Sequence, residues 1–448
     1  MDQIHFLLLF VGIGIAYLMV GLHVGKKITN KVDYFLADRS YGIFAVTLTL
    51  VATQIGGGMI LGTSNEAYEF GIYGIVYAIG VVFGFFALAL GLAHKLREFN
   101  VATTAQLFET QYQSTLLRKI AAVVMIMSLC GILAGQVVAS RMFLNGLGLT
   151  NEAIFLSLWV FVILYTVLGG LKAVVLTNVY QVIFIFILFV GVFFWLQGHY
   201  PIDTLDFTPN QMVVTEAFSW KLLVPLLLMP MMFSIVEQDL AQRFFSARTP
   251  KIATASAICA AILILLFAFM PVYFGVLGKQ LAIHIPENTS VFIAVMKTLV
   301  PDVVLALIAC GLLSAIVSTA DSLLCAISSN LAQDFGTLSK NPKREVQISR
   351  LITLSAGTAA VVIAYYMDNI LEVLVKSYEL PVTCLFASIF LCCILKRVYK
   401  LAAVLSVFAG LISFIFFKFY PTTFPNEVIQ ITLSFLGYGV GWMIAKNR

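Results

Sequence analysis

Long apolar runs separated by short polar segments dominate the chain, and they show no period-two alternation. Runs of about 20 residues match the thickness of a bilayer's hydrocarbon core when helical. Only helices and closed barrels satisfy every backbone polar group in lipid, and the missing alternation selects helices. The pattern predicts thirteen membrane helices, at about 4–24, 42–64, 72–95, 117–146, 151–168, 174–197, 221–245, 251–277, 303–334, 346–366, 369–395, 398–417 and 427–445. The first run follows Asp2, with no basic leader and no small-residue cleavage site, and reads as a retained helix.

Composition agrees. Of 448 residues, 61% are apolar and 11% charged, against about 25% charged in soluble proteins. Disorder, coiled coil and a secreted disulfide scaffold are excluded. The net charge of +5 reflects loop basicity rather than a nucleic-acid footprint. With the N-terminus outside, 21 of the 27 Lys and Arg residues fall in cytoplasmic loops. Only Lys221, Lys279, Lys297 and Lys418 fall in the opposite set, and Arg141 and Lys376 lie within spans. This asymmetry predicts a multi-pass protein of the cell (inner or plasma) membrane, with a cytoplasmic C-terminus. The seven cysteines all sit in apolar runs, so neither disulfides nor a zinc site is expected. No nucleophile-elbow or phosphate-loop motif occurs, and the five histidines show no metal-like spacing. An enzyme is not expected, nor a soluble domain. The stretch 103–112 is mildly amphipathic and is expected along the cytoplasmic surface.

Two spans carry helix-breaking chemistry at mid-depth. The second contains Gln54-Ile55-Gly56-Gly57-Gly58; the seventh contains Pro225 and Met229-Pro230-Met231-Met232-Phe233-Ser234. Each glycine weakens a helix by about 1 kcal/mol relative to alanine, and proline removes a backbone donor. Glycines also serve close helix packing, but two interrupted spans five helices apart point to a transport site between two repeats. The repeats would cover 42–197 and 221–395, with 1–41 and 396–448 peripheral, all in one transmembrane domain.

On the ninth span Ala315, Ser318 and Thr319 share a helix face at i, i+3 and i+4. Their oxygens suit a hard cation, though such hydroxyls also bond their own helix. Asp321, a carboxylate deep in a span, is a functional candidate.

These residues resemble the sodium:solute symporter family. The resemblance rests on Thr166-Val167-Leu168-Gly169-Gly170-Leu171-Lys172 through Thr177-Asn178-Val179-Tyr180-Gln181, on Glu237-Gln238-Asp239-Leu240-Ala241-Gln242-Arg243, on Ser318-Thr319-Ala320-Asp321-Ser322, and on the segment ending in Tyr112 and Arg118. It implies an all-α polytopic fold of LeuT type, a five-plus-five inverted repeat with two broken helices. It also implies a sodium ion held by the carbonyls of Ala52, Ile55 and Ala315 and the hydroxyls of Ser318 and Thr319. The family's Thr-Asp pair is Thr177-Asn178 here, which leaves Asp321, with Ser322 and Asn178, as the expected place for a second cation or a proton.

The resemblance implies that the solute binds beside the breaks. The expected walls are Gln54, Gly56, Gly57, Gly58, Tyr73, Tyr77, Gln136, Ser140, Arg141, Met229, Phe233, Ser234 and Glu237. Arg141 either grips a carboxylate or snorkels to the surface. Gln54 offers no aromatic face to a quaternary ammonium, which argues against choline. The expected function is sodium-coupled symport of a small polar organic solute, such as an amino acid or organic acid, by alternating access. A proton-coupled or facilitative carrier is the alternative on the same frame. A membrane sensor is the alternative of another class; with the last span ending close to Arg448, no signalling domain is expected. The partners expected are the solute and the lipid bilayer, with no nucleic acid and no obligate protein.

Overall fold

The computed structural model describes residues 3–208, 220–287, 289–335, 341–364 and 370–447. Among them there is no strand, only one isolated bridge between Tyr41 and Ala247. The helices used below are α1 (Gln3–Gly25), α2 (Ile43–Gln54), α3 (Thr63–Phe70), α4 (Val76–Ala87), α5 (Thr115–Gly146), α6 (Glu152–His199), α7 (Trp220–Val236), α8 (Gln238–Ser246), α9 (Pro250–Gln280), α10 (Asp302–Asp334), α11 (Pro342–Ala364), α12 (Ile370–Pro381), α13 (Lys400–Phe419) and α14 (Asn426–Lys446). Polar residues start several of them. Ser114, Asn151 and Thr249 each accept a backbone N–H of the first turn, and Pro250 follows Thr249 where no helical donor is needed.

Eight helical stretches among the described residues are long and apolar enough to cross a membrane, and α7 with α8 makes a ninth. Two of the eight are too long for one crossing. The 48 residues of α6 would extend about 72 Å if straight, against about 30 Å of hydrocarbon. The helix breaks at Gly170, where φ is 53° and ψ −153°. Glycine suits this left-handed backbone, and a Cβ there would lie 2.6 Å from the Tyr34 carbonyl oxygen. The break falls between the predicted fifth and sixth spans. Similarly, the stretch Gly58–Glu98 bends at Gly71, with φ 61°.

Large apolar side chains cover the outside of the bundle; Leu90, Ile187 and Ile412 are 90%, 67% and 65% exposed. Such a surface suits lipid and not water. At the centre runs α10, buried almost throughout and packed against α2, α5, α6 and α11.

The segment 103–112 departs from expectation. It folds into the end of the bundle, with Thr103, Thr104, Leu107 and Phe108 buried. Thr103 donates to Asp334 at 2.8 Å, and the Thr104 amide donates to the Gln238 side chain at 2.7 Å. Arg118 joins Asp334, Glu109 and the Gln333 carbonyl. Paired polar groups thus close this end, where a surface helix would have kept them in water.

Candidate functional site

The first break is steric. Helix α2 stops at Gln54, and Ile55 adopts φ −84° and ψ 75°, turning its carbonyl off the helix axis. A π-turn over Gly58–Gly62 then restarts the helix toward α3. A Cβ on Gly56 would lie 2.4 Å from the Thr319 hydroxyl, and one on Gly57 would lie 2.4 Å from the Ala139 methyl. Only glycine allows this approach. The freed Gly57 amide donates to the Gln136 side chain at 2.9 Å.

The second break lies later than the prolines suggest. Helix α7 runs continuously through Pro225 and Pro230, and the chain turns at Glu237 (ψ 124°), with a 40° bend into α8. Helices in lipid tolerate proline where neighbours satisfy the freed groups. The Glu237 amide closes α7 on the Phe233 carbonyl at 2.8 Å, and the Glu237 carbonyl starts α8 by accepting from Ala241 at 3.0 Å. Its side chain accepts from the Gln54 amide at 3.3 Å. The two breaks therefore meet.

Against the first break stands the hydroxyl ridge of α10. Ser318 donates to the carbonyls of Ala52 (3.0 Å) and Ala315 (2.9 Å). Thr319 lies 3.1 Å from the Thr53 carbonyl, 3.4 Å from that of Ala52 and 3.3 Å from that of Ala315. Because α2 ends at Gln54, its last carbonyls lack helical donors and turn to these hydroxyls. The cluster is oxygen-only and fully buried at Ser318 and Ala52, the donor set a hard cation prefers. Ile55 is buried beside it. Among the described residues no cluster of three His, Cys, Asp or Glu side chains could hold a transition metal.

A second polar cluster lies one turn further along α10. Asp321 accepts from the Tyr165 hydroxyl and is wholly buried. Ser322 receives Thr53 and Asn178 donors at 3.3 Å each and also the Arg243 guanidinium. Asn178 donates in addition to Thr49 at 3.1 Å, and its carbonyl oxygen has no hydrogen-bond partner. Arg243 belongs to the basic loop residues in the sequence reading. The structure buries it completely, because α8 tucks beneath the break instead of leaving the bundle. The Gln242-Arg243 pair was the available signal, but nothing local distinguishes a buried arginine from a loop one.

A cavity of about 20 Å³ sits between the breaks. It is lined by the expected residues Gln54, Gly56, Gly58, Tyr77, Gln136 and Glu237, and also by Thr53, Met59, Thr319 and Tyr378. Tyr77 and Tyr378 hydroxyls are 3.0 Å apart, and Phe233 stacks on Tyr378 with centroids 4.4 Å apart. Met229 is buried, while Ser234 bonds the Pro230 carbonyl at 2.8 Å and faces Gly84. Ser140 turns toward α6, where it accepts from Trp159 at 3.1 Å. Tyr73 lies in the turn Gly71–Ile75, away from the lining. Arg141 sits over the Phe155 ring at 4.9 Å and lines a different cavity, with Asn145, Asn151 and Glu152. Tyr378 was invisible to sequence reasoning because its α12 carries no break of its own at that position.

Two interrupted helices meeting inside an apolar bundle, beside an oxygen-lined cradle, define a multi-pass membrane protein of the inverted-repeat type. Residues 34–410 match the sodium:solute symporter family, and the chain belongs to it. Among its relatives, the osmoregulated proline transporter OpuE of Bacillus subtilis (strain 168) is 32% identical over 37% of this chain. The high-affinity choline transporter 1 of Drosophila melanogaster is 25% identical over 79% of this chain. The matches span 36% and 61% of those two relatives' lengths. The high-affinity proline transporter PutP of Bacillus subtilis (strain 168) is 24% identical over 79% of each chain. A solved Na+-coupled sialic acid symporter, substrate-bound and outward-open, superposes with a TM-score of 0.79 at 18% identity, covering 98% of this chain and 97% of that one. A closed nucleobase-cation-symport-1 family transporter gives 0.59 at 13% identity, covering 92% and 95%. These likenesses establish the LeuT-type fold.

Proposed function

We propose that the chain is a secondary active transporter in which a sodium gradient drives symport of a small polar organic solute by alternating access. The observation that carries this reading is the convergence of the Ser318 and Thr319 hydroxyls on the α2 carbonyls freed by the first break, next to the Gln54–Glu237 contact. Sodium is cargo there. Its contacts to Ala52, Ile55, Ala315, Ser318 and Thr319 tie α2 to α10, so the ion favours whichever arrangement brings the two together. The cavity between the breaks is the solute site, with walls at Gln54, Tyr77, Gln136, Glu237 and Tyr378. Thirteen crossings, an outside N-terminus, a cytoplasmic C-terminus and residence in the plasma membrane complete the proposal, with repeats over 42–197 and 221–395.

A proton-coupled carrier is the second reading, favoured by the wholly buried Asp321 carboxylate beside Tyr165. Uptake into proteoliposomes decides between them. Sodium symport requires uptake that follows an imposed sodium gradient; uptake that ignores sodium and follows a pH gradient selects the second reading. The Asp321→Asn variant is expected to change the ratio of ions to solute moved, and an unchanged ratio and rate would remove Asp321 from the coupling.

A further inference from the structure

We propose that the transported solute carries a primary or secondary ammonium group and that Glu237 is the residue that selects it; this rests on the symport reading above. Buried acidic side chains outnumber buried basic ones near the cavity. Glu237, Asp239 and Asp321 are all buried, and among the described residues Arg243 is the only fully buried Lys or Arg. Arg243 bonds the Asp239 backbone carbonyl at 2.7 Å and the Ser322 hydroxyl. A cation bound at Glu237 would give this buried carboxyl a charged partner.

Of these three acids Glu237 is the one that lines the cavity. Asp321 has the Tyr165 hydroxyl and lies beside Ser322, close to the arginine. Asp239 sits in the first turn of α8, where the helix dipole favours an anion. Glu237 opens into the cavity, and its hydrogen-bond donor is the neutral Gln54 amide. The other polar groups on that wall are the paired hydroxyls of Tyr77 and Tyr378, which accept as well as donate. A cation that brings its own N–H donors satisfies this set. A quaternary nitrogen has none, and the Phe233 and Tyr378 rings stack on each other, which denies it a box of open faces. An anion without an ammonium group meets the Glu237 carboxyl and no cationic side chain in this lining, because Arg141 lines the other cavity.

The experiment is a thermal-shift screen of the purified full chain in sodium and in potassium, against amines, amino acids, carboxylates, sugars, polyols and fully N-methylated ammonium compounds. Stabilisation that needs sodium is expected from compounds bearing an N–H ammonium. It should vanish for the same skeletons with the nitrogen deleted, such as propionate for alanine or cyclopentanecarboxylate for proline. Glu237→Gln is expected to raise the half-saturating concentration of the active compound at least tenfold. Its response to sodium alone reports that the variant is folded, and the nitrogen-deletion series on the unaltered protein serves where it is not. A solute that binds equally without its nitrogen, or a screen in which no ammonium compound acts, overturns the assignment. Sodium alone tests the parent reading separately. If sodium fails to stabilise the chain, the symport reading falls; if it succeeds and the active solute lacks an ammonium, only the role of Glu237 falls.

Discussion

At the first interrupted helix the chain bends because of what it lacks: without Cβ atoms, Gly56 and Gly57 let Thr319 and Ala139 approach to distances no other residue permits. At the second, the two residues that ought to break the helix do not. Pro225 and Pro230 lie within α7, and the turn comes at Glu237, whose own backbone has no special preference. That turn is held by partners elsewhere. Glu237 is tied to Gln54, Gln238 to Thr104 and Ala102, and Gln242 to the Phe35 carbonyl. A steric break is local and survives changes in its surroundings; an anchored break depends on several elements at once.

This contrast can be broken from either side. The largest effect is expected at the steric break. Gly56→Val forces a side chain into Thr319, and overpacking of this kind costs about 1–3 kcal/mol; sodium-induced thermal stabilisation and uptake should both be lost, and their survival would show that α2 can bend without glycine. At the anchored break, Gln238→Ala leaves the buried Thr104 amide and the half-buried Ala102 carbonyl unpaired, at about 1–3 kcal/mol for the buried amide. A clear fall in melting temperature is expected without direct loss of the Ser318–Thr319 cradle. Thr319→Val removes one cradle oxygen, and a single hydrogen-bond-sized loss of about 1.4 kcal/mol weakens sodium about tenfold, read as the sodium concentration giving half-maximal uptake. The smallest effect is expected from Pro230→Ala, since α7 is already helical there. Uptake should stay within about threefold of the parent, and a large loss would return the break to the prolines.

The same contrast explains what was legible in the sequence. Apolar periodicity placed the helices, and the glycine triplet placed the first break, because both are properties of neighbouring residues. The shared face of Ala315, Ser318 and Thr319 follows from helical spacing alone. Arg243 read as a loop cation and Pro230 as a breaker because burial and tolerance depend on elements far away in the chain. Tyr378 joins the cavity through Tyr77, 301 residues distant, and no local pattern announces such a pairing. Arg141 likewise sits on the expected helix, yet its side chain goes to Phe155.

The cavity between the breaks holds about 20 Å³, enough for a single water molecule and not for an organic molecule. Under the proposed symport, binding an organic solute requires a wider cavity than this arrangement has. The apparent dissociation constant then exceeds the intrinsic one by the inverse of the open fraction. The polar knot of Arg118, Asp334, Glu109 and Thr103 at one end of the bundle holds that fraction down if it must loosen during the expansion. Under the proposed symport, affinity for the solute is then adjustable from a place the solute never touches.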